Sequence, residues 1–391
     1  MNRIRYIGGK RYYRYGPSEN SNHITFHYQG AILIHNASRP PEACQIEIPQ
    51  EIANLELTEL GIVSVDLAQL TQFPNLKWFS LGYLGREPLN LAPLSQIKTL
   101  KHLTLSFSHH QKVDLSPLVH CPNLHIIEIY NSIEHLDLNS LEDCTSLHTL
   151  HLNCKLLEVD LTPLSSCSNL ELLFLSGSEL ATIDLTPLQD CKRLQALNLG
   201  FNKLTQIDLT PLQHCPEFMT LLLNHNRLES IDLTPLQHCP EFNGLSLEHN
   251  QLTAIDLTPL QHCPSLESLN LGCNQLRTLD LTPLRHCRRL KQFEVHDNWL
   301  ETLDLTPLFS HFKFKEFRFE SWEGPRIPPW HSQYRAIAQA DSDTRLQILR
   351  DIDPADFKNK PTPRLLANLH LQHRKRLPSP IRKIFYRIEF I

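Results

Sequence analysis

IDLTPLQHCPEF occupies residues 207–218 and recurs letter for letter at residues 231–242. Close variants follow from Ile255 and Leu279. Identical strings at a fixed spacing signal internal repetition, which has to be settled before any other feature is read. Asp184, Asp208, Asp232, Asp256, Asp280 and Asp304 each open a D-L-T-P-L, 24 residues apart. Going backwards, Asp160, Asp137, Asp114, Asn90 and Asp66 continue the series at steps of 23 or 24.

Between these positions runs a second pattern, L-x-x-L-x-L-x-x-N-x-L, clearest at Leu194-Leu197-Leu199-Asn202-Leu204 and Leu266-Leu269-Leu271-Asn274-Leu276. Counted from its first apolar position, twelve units run from Ile52 to Phe314. The alternation around the last two leucines predicts a short strand with one apolar face. Successive coils then lay their strands side by side as a parallel sheet. The asparagine turns inward to satisfy backbone groups of its own turn and of the next coil. In T-P-L the Thr is expected to supply an N-cap oxygen and the Pro to fit the first helical position of a short return turn. No coil can bury its apolar face alone, so the leucines of neighbouring coils form one core.

These motifs resemble the leucine-rich repeat family, and D-L-T-P-L is similar to the D-I-S-P-L of internalin-like bacterial repeats. The resemblance covers roughly residues 52–325. It implies a right-handed α/β solenoid, a horseshoe or arc of about twelve repeats. Parallel β lines the concave face, with short helical or 3₁₀ turns on the convex face. One departure is length, since internalin-like units are usually two residues shorter. The family shares a scaffold and not a partner, so function has to come from the residues that do not repeat.

Three regions are expected. Residues 1–51 form an N-terminal cap region, with a β-hairpin read from HITFHYQGAILIHN around Gln29-Gly30. Residues 52–325 are the solenoid, with FKFKEFRFE as a last strand. Residues 326–391 are a proline-punctuated, helix-like basic cap or module, with 13 Lys plus Arg against 6 Asp plus Glu. The whole chain has 37 basic and 42 acidic residues, a net charge of −5, which does not point to nucleic acid. No apolar run is long enough to span a bilayer, and the N-terminus lacks the apolar stretch of a secretory signal. Eleven cysteines without an export signal fit a reducing compartment. A cytoplasmic monomer is expected, with export without a cleavable signal left open.

The His-Cys pairs read as structure. Each Cys lies three residues before the first strand leucine and should be a small buried hydrophobe, while its His neighbour is replaced by Asp143, Ser166 and Asp190 in other coils and faces water. The Asp column reads as a set of turn caps, because one carboxylate per coil cannot satisfy calcium. The column His225, His249, Cys273 and Asp297 could hold a soft metal, but four in-line positions splay along a stack. No metal and no cofactor are expected. Nucleotide-binding, metalloprotease and nucleophile-elbow motifs are lacking, so no enzyme is expected.

Aromatic residues beside the strand leucines carry the functional expectation: Trp78, Tyr83, Phe107, Tyr130, Phe174 and Phe201, all read as facing outward on the concave side. They bury large area with few torsions to freeze, which suits protein recognition. The chain is read as a non-enzymatic scaffold binding a protein partner. Replacing Trp78 and Phe107 with alanine is expected to weaken binding without unfolding. The alternative is a regulatory or enzyme-associated module, an effector among the options, whose basic C-terminal region binds an acidic partner.

Overall fold

The repeat period reappears as strand register. In the computed structural model, Trp78 pairs with His102, His102 with Ile126, Ile126 with Thr149, and Thr149 with Leu172, all in parallel. Each step therefore advances the chain by one unit, including the two units of 23 residues. The structure describes residues 53–83, 88–107, 112–130 and 133–300, and short stretches outside them that include the strands Arg3–Ile7, Lys10–Arg14, Ala31–Asn36, Ala43–Glu47 and Glu316–Arg318. The expected hairpin arm before Ala31 and the whole basic region 326–391 lie outside the described residues.

The chain divides into two units, Met1–Leu221 and Leu222–Ile391, built from the same coil. In the first, the opening strand Asn54–Val65 pairs in parallel with both Lys10–Arg14 and Trp78–Tyr83. Its far end pairs antiparallel with Ala31–Asn36, which forms a second antiparallel pair with Ala43–Glu47. N-terminal strands thus occupy the edge that the first coil would otherwise leave unpaired. Strands of five or six residues follow from Trp78 to Asn153, then strands of three. In the second unit Gly244–Ser246, Ser268–Asn270, Gln292–Glu294 and Glu316–Arg318 pair in parallel order, so the final strand falls where the FKFKEFRFE alternation put it.

Each coil returns through a five- or six-residue 3₁₀ turn such as Thr210–His214. The cap differs from the expected one. The residue before the turn is a leucine without a capping side chain, and the Thr is already inside the turn. The oxygen comes instead from the Asp two residues earlier: Thr210 N–H donates to Asp208 Oδ1 at 2.9 Å, Thr258 N–H to Asp256 at 2.8 Å. An Asx-type turn wins because the Asp carboxylate reaches the free N–H from outside the turn. The Ser or Thr two residues on holds Asp114, Asp160, Asp184, Asp208, Asp256 and Asp280 below the usual carboxylate range, its side chain contributing most.

The core is a stack of leucine rungs, with Leu266, Leu269, Leu271 and Leu276 fully buried in one coil. Each such side chain contributes about 1.5–3 kcal/mol of burial. The asparagine ladder ties coil to coil. Asn274 Nδ2 donates to the carbonyls of Leu247, Leu271 and Gly272, and its Oδ1 accepts from Leu252 N–H in the preceding coil. Cysteines form a second ladder: Cys167 Sγ donates to Leu141 O at 3.3 Å and Cys287 Sγ to Leu260 O at 3.2 Å. These thiols are buried and free, and desolvation pushes Cys144, Cys191, Cys263 and Cys287 up to about 12. Their His neighbours, His214, His238, His262 and His286, are exposed.

Candidate functional site

Side chains that leave the core face of the first unit's strands stand in rows, because strand register stacks equivalent positions of successive coils. The central row is Ser80, Thr104, Glu128, His151, Phe174 and Asn198. One flank carries Trp78 and His102, the other Tyr130. The coils contribute these residues in turn, so a surface that repeats in backbone varies in chemistry.

The expected aromatic set divides by strand parity. Trp78, Tyr130 and Phe174 are half-buried on the open face, as expected. Tyr83 and Phe107 are not: they are 4% and 0% exposed, with rings in edge contact at 6.4 Å inside the core. Each lies two residues beyond a core leucine, Leu81 or Leu105, and side chains two apart on a strand share a face. Phe201 lies past its strand, 56% exposed, at a positive φ of 57°.

Polar groups beside these rings complete the site, and of them the sequence pattern did not single out Glu128 and Thr104. Glu128 sits at its centre. Its Oε2 is 3.2 Å from His102 Nε2 and accepts the Thr104 hydroxyl at 3.0 Å. The His102 hydrogen bond holds the Glu128 carboxyl below its usual range, outweighing desolvation. Tyr130 OH lies 3.2 Å from His151 Nδ1, and the His151 ring is in edge contact with both Tyr130 and Phe174, at 5.0 and 5.4 Å. Burial pushes His151 down, and it pushes Tyr130 up with help from Glu128. His102 in turn lies 5.6 Å from the Trp78 ring. The result is a continuous aromatic–imidazole surface around one fixed carboxylate. Such a surface offers apolar area, hydrogen-bond donors and an anchor for a cationic group. Glu128 was readable as the outward position of the strand Ile126–Tyr130, flanked by Ile127 and Ile129.

In the second unit the column His225, His249, Cys273, Asp297 is present, each residue at a φ between 50° and 56°. His225 and His249 stack at 4.2 Å. Cys273 and Asp297 instead lie beside His296 of the neighbouring column, with Cys273 Sγ 3.8 Å and Asp297 Oδ2 3.0 Å from its Nδ1.

A leucine-rich repeat model matches residues 192–252, 216–276 and 240–300, and a BspA-type leucine-rich repeat region model of six copies matches residues 95–219. The chain belongs to the leucine-rich repeat family. No curated protein matches the sequence. Among solved structures, this leucine-rich repeat protein is similar to one from Leptospira interrogans, at 22% identity and a TM-score of 0.57 over 70% of this chain and 69% of that one. The Drosophila Toll–Spätzle complex contains a chain matched at 19% identity and a TM-score of 0.54, over 64% of this chain and 33% of that one. A Listeria monocytogenes internalin, InlF, matches at 22% identity over 72% and 91%, with a TM-score of 0.48. Among the described residues no helix is long and apolar enough to cross a membrane.

Proposed function

We propose that this leucine-rich repeat protein is a non-enzymatic binding module whose partner is a protein, taken up on the open strand face between Trp78 and Phe174. The observation that carries this reading is the unbroken contact series Tyr130–His151–Phe174 beside the His102–Thr104–Glu128 hydrogen-bond cluster. Large rings supply desolvated area at small entropic cost, and a preoriented carboxylate selects a Lys or Arg of the partner. The fold's use in the Toll–Spätzle complex, a complex of two proteins, supports the class of partner and nothing finer. Free buried thiols throughout the cysteine ladder favour a reducing, cytoplasmic setting.

The test is affinity capture with the full chain and with a Tyr130→Ala/Phe174→Ala variant, analysed by quantitative mass spectrometry. The reading expects a protein retained by the native chain and depleted at least tenfold by the variant, with unchanged circular dichroism. Equal retention by both chains contradicts it. Glu128→Gln separates the charge contribution, and it should weaken capture more at low than at high salt.

A further inference from the structure

Residues 246–249, 270–273 and 294–297 are equivalent stretches of three successive coils. Glu248, Gly272 and His296 form one column across them, and the adjacent column is His249, Cys273, Asp297. The glycine opens a gap in the first column. A Cβ at position 272 would lie 2.4 Å from His296 Nε2, so only glycine lets the imidazole fold down over this backbone. Through that gap His296 Nε2 comes within 3.6 Å of Glu248 Oε1, although strand spacing places their coils about 9–10 Å apart. His296 is 5% exposed.

The other imidazole nitrogen faces Cys273 and Asp297. His296 Nδ1 lies 3.8 Å from Cys273 Sγ and 3.0 Å from Asp297 Oδ2, and Sγ lies 3.7 Å from that same oxygen. Three ligands on a tetrahedral zinc ion, at bond lengths of about 2.0–2.3 Å, stand roughly 3.4–3.6 Å from one another. The observed triangle is within several tenths of an ångström of that figure. Glu248, Cys273 and His296 also present ligand atoms all within 4.8 Å of each other, which keeps a further carboxylate beside the site. We propose that Cys273, His296 through its Nδ1, and Asp297 form a binding site for a zinc-class divalent metal ion, with Glu248 beside the opposite imidazole nitrogen.

The surroundings match that assignment. Glu294 Oε2 is 3.6 Å from His296 Nε2, the arrangement in which a carboxylate orients a metal-bound imidazole through its second nitrogen. Asn270 Nδ2 donates to Glu248 at 3.1 Å and to Glu294 at 3.4 Å, fixing both carboxylates. Thiol plus imidazole selects zinc, cobalt or a similar ion over calcium and magnesium, which take oxygen donors. Cys273 and Asp297 hold positive φ values of 53° and 50°. Coordination replaces the Sγ–H proton, which leaves to solvent. The ion would bridge two successive coils and cross-link the solenoid locally.

The full chain, purified and stripped with a chelator, is titrated with Co(II) alone and then with Zn(II). One equivalent of Co(II) should bind, giving a thiolate-to-cobalt band in the near ultraviolet that Zn(II) abolishes. Cys273→Ser should remove the band and weaken Zn(II) binding on the order of 100-fold; Asp297→Asn and Glu248→Gln, which keep side-chain shape, should each weaken it about tenfold or more. Absence of stoichiometric binding overturns the assignment. So does a band that survives in Cys273→Ser, which would place the ion on another thiol, or unchanged affinity in both carboxylate variants. Failure here leaves the binding face of the first unit untouched, since no residue is shared.

Discussion

Replacing Asn274 with alanine tests how the coils hold together. Asn274 is 5% exposed and makes four hydrogen bonds. The carbonyls it serves keep other donors: Leu247 O also accepts from Asn250, Leu271 O from Asn298, and Gly272 O from His249 N–H. Their losses are therefore small. Leu252 N–H is different, because Asn274 Oδ1 is its acceptor at 3.1 Å and Leu252 is fully buried. A buried donor left without a partner costs about 1–3 kcal/mol, and lost net bonding adds about 1 more. The expected destabilisation is about 2–4 kcal/mol. It is measured by urea unfolding of the full chain, followed by far-ultraviolet circular dichroism, with an unchanged slope. Exposed His262→Ala serves as the reference, at about 0.5 kcal/mol or less. Asn274→Asp keeps the acceptor but sets a carboxylate against three carbonyls, and should be no milder than alanine at neutral pH. A loss under about 0.5 kcal/mol for Asn274→Ala would refute the reasoning.

Parity makes Phe107→Ala costly, about 3–5 kcal/mol, whereas half-buried Phe174→Ala should cost much less; equal losses in a melting comparison contradict the inward placement of Phe107. The Asp column predicts acid sensitivity. Because the folded pKa values are depressed, the caps stabilise fully above the unfolded value of about 3.9 and are lost as pH falls through the lower folded values. Thermal midpoints should drop below pH 4, less steeply in Asp208→Ala/Asp256→Ala, and identical profiles would count against it. Ladder cysteines such as Cys215 and Cys263, buried and pushed up to about 11 and about 12, should resist alkylation in the native chain at pH 7.5 and react on unfolding. Peptide mapping showing native-state modification there refutes their burial.

Much of the fold could be read from the period, because each coil repeats the same physical solution: a leucine rung, an inward asparagine, a cysteine and an aspartate turn. Asp208 was recognisable as a local cap from its one-carboxylate-per-coil spacing. The Thr210 capping role was misread because the turn begins one residue earlier than T-P-L suggests, so Thr210 donates to the Asp208 carboxylate instead of supplying the capping oxygen itself. Tyr83 and Phe107 were read outward because the leucine pattern ends before them; their strands run on for two more residues, and the parity of Leu81 and Leu105 carries inward. Glu248 and His296 were missed for another reason. Along the chain they look like ordinary strand-end polar residues, and they meet only because Gly272 leaves a gap between them. Sequence columns show which residues stack, not which can reach across an absent side chain.

The central claim is that the strand face from Trp78 to Phe174 takes the partner. Hydrogen–deuterium exchange of the native chain, with and without its captured partner, addresses that claim most directly. The account predicts new protection in peptides covering His102–Phe107, Ile126–Tyr130 and Thr149–Asn153. Protection confined to the 3₁₀ turns Ser116–His120, Asn139–Asp143 and Thr162–Ser166, with these strands unchanged, would contradict it.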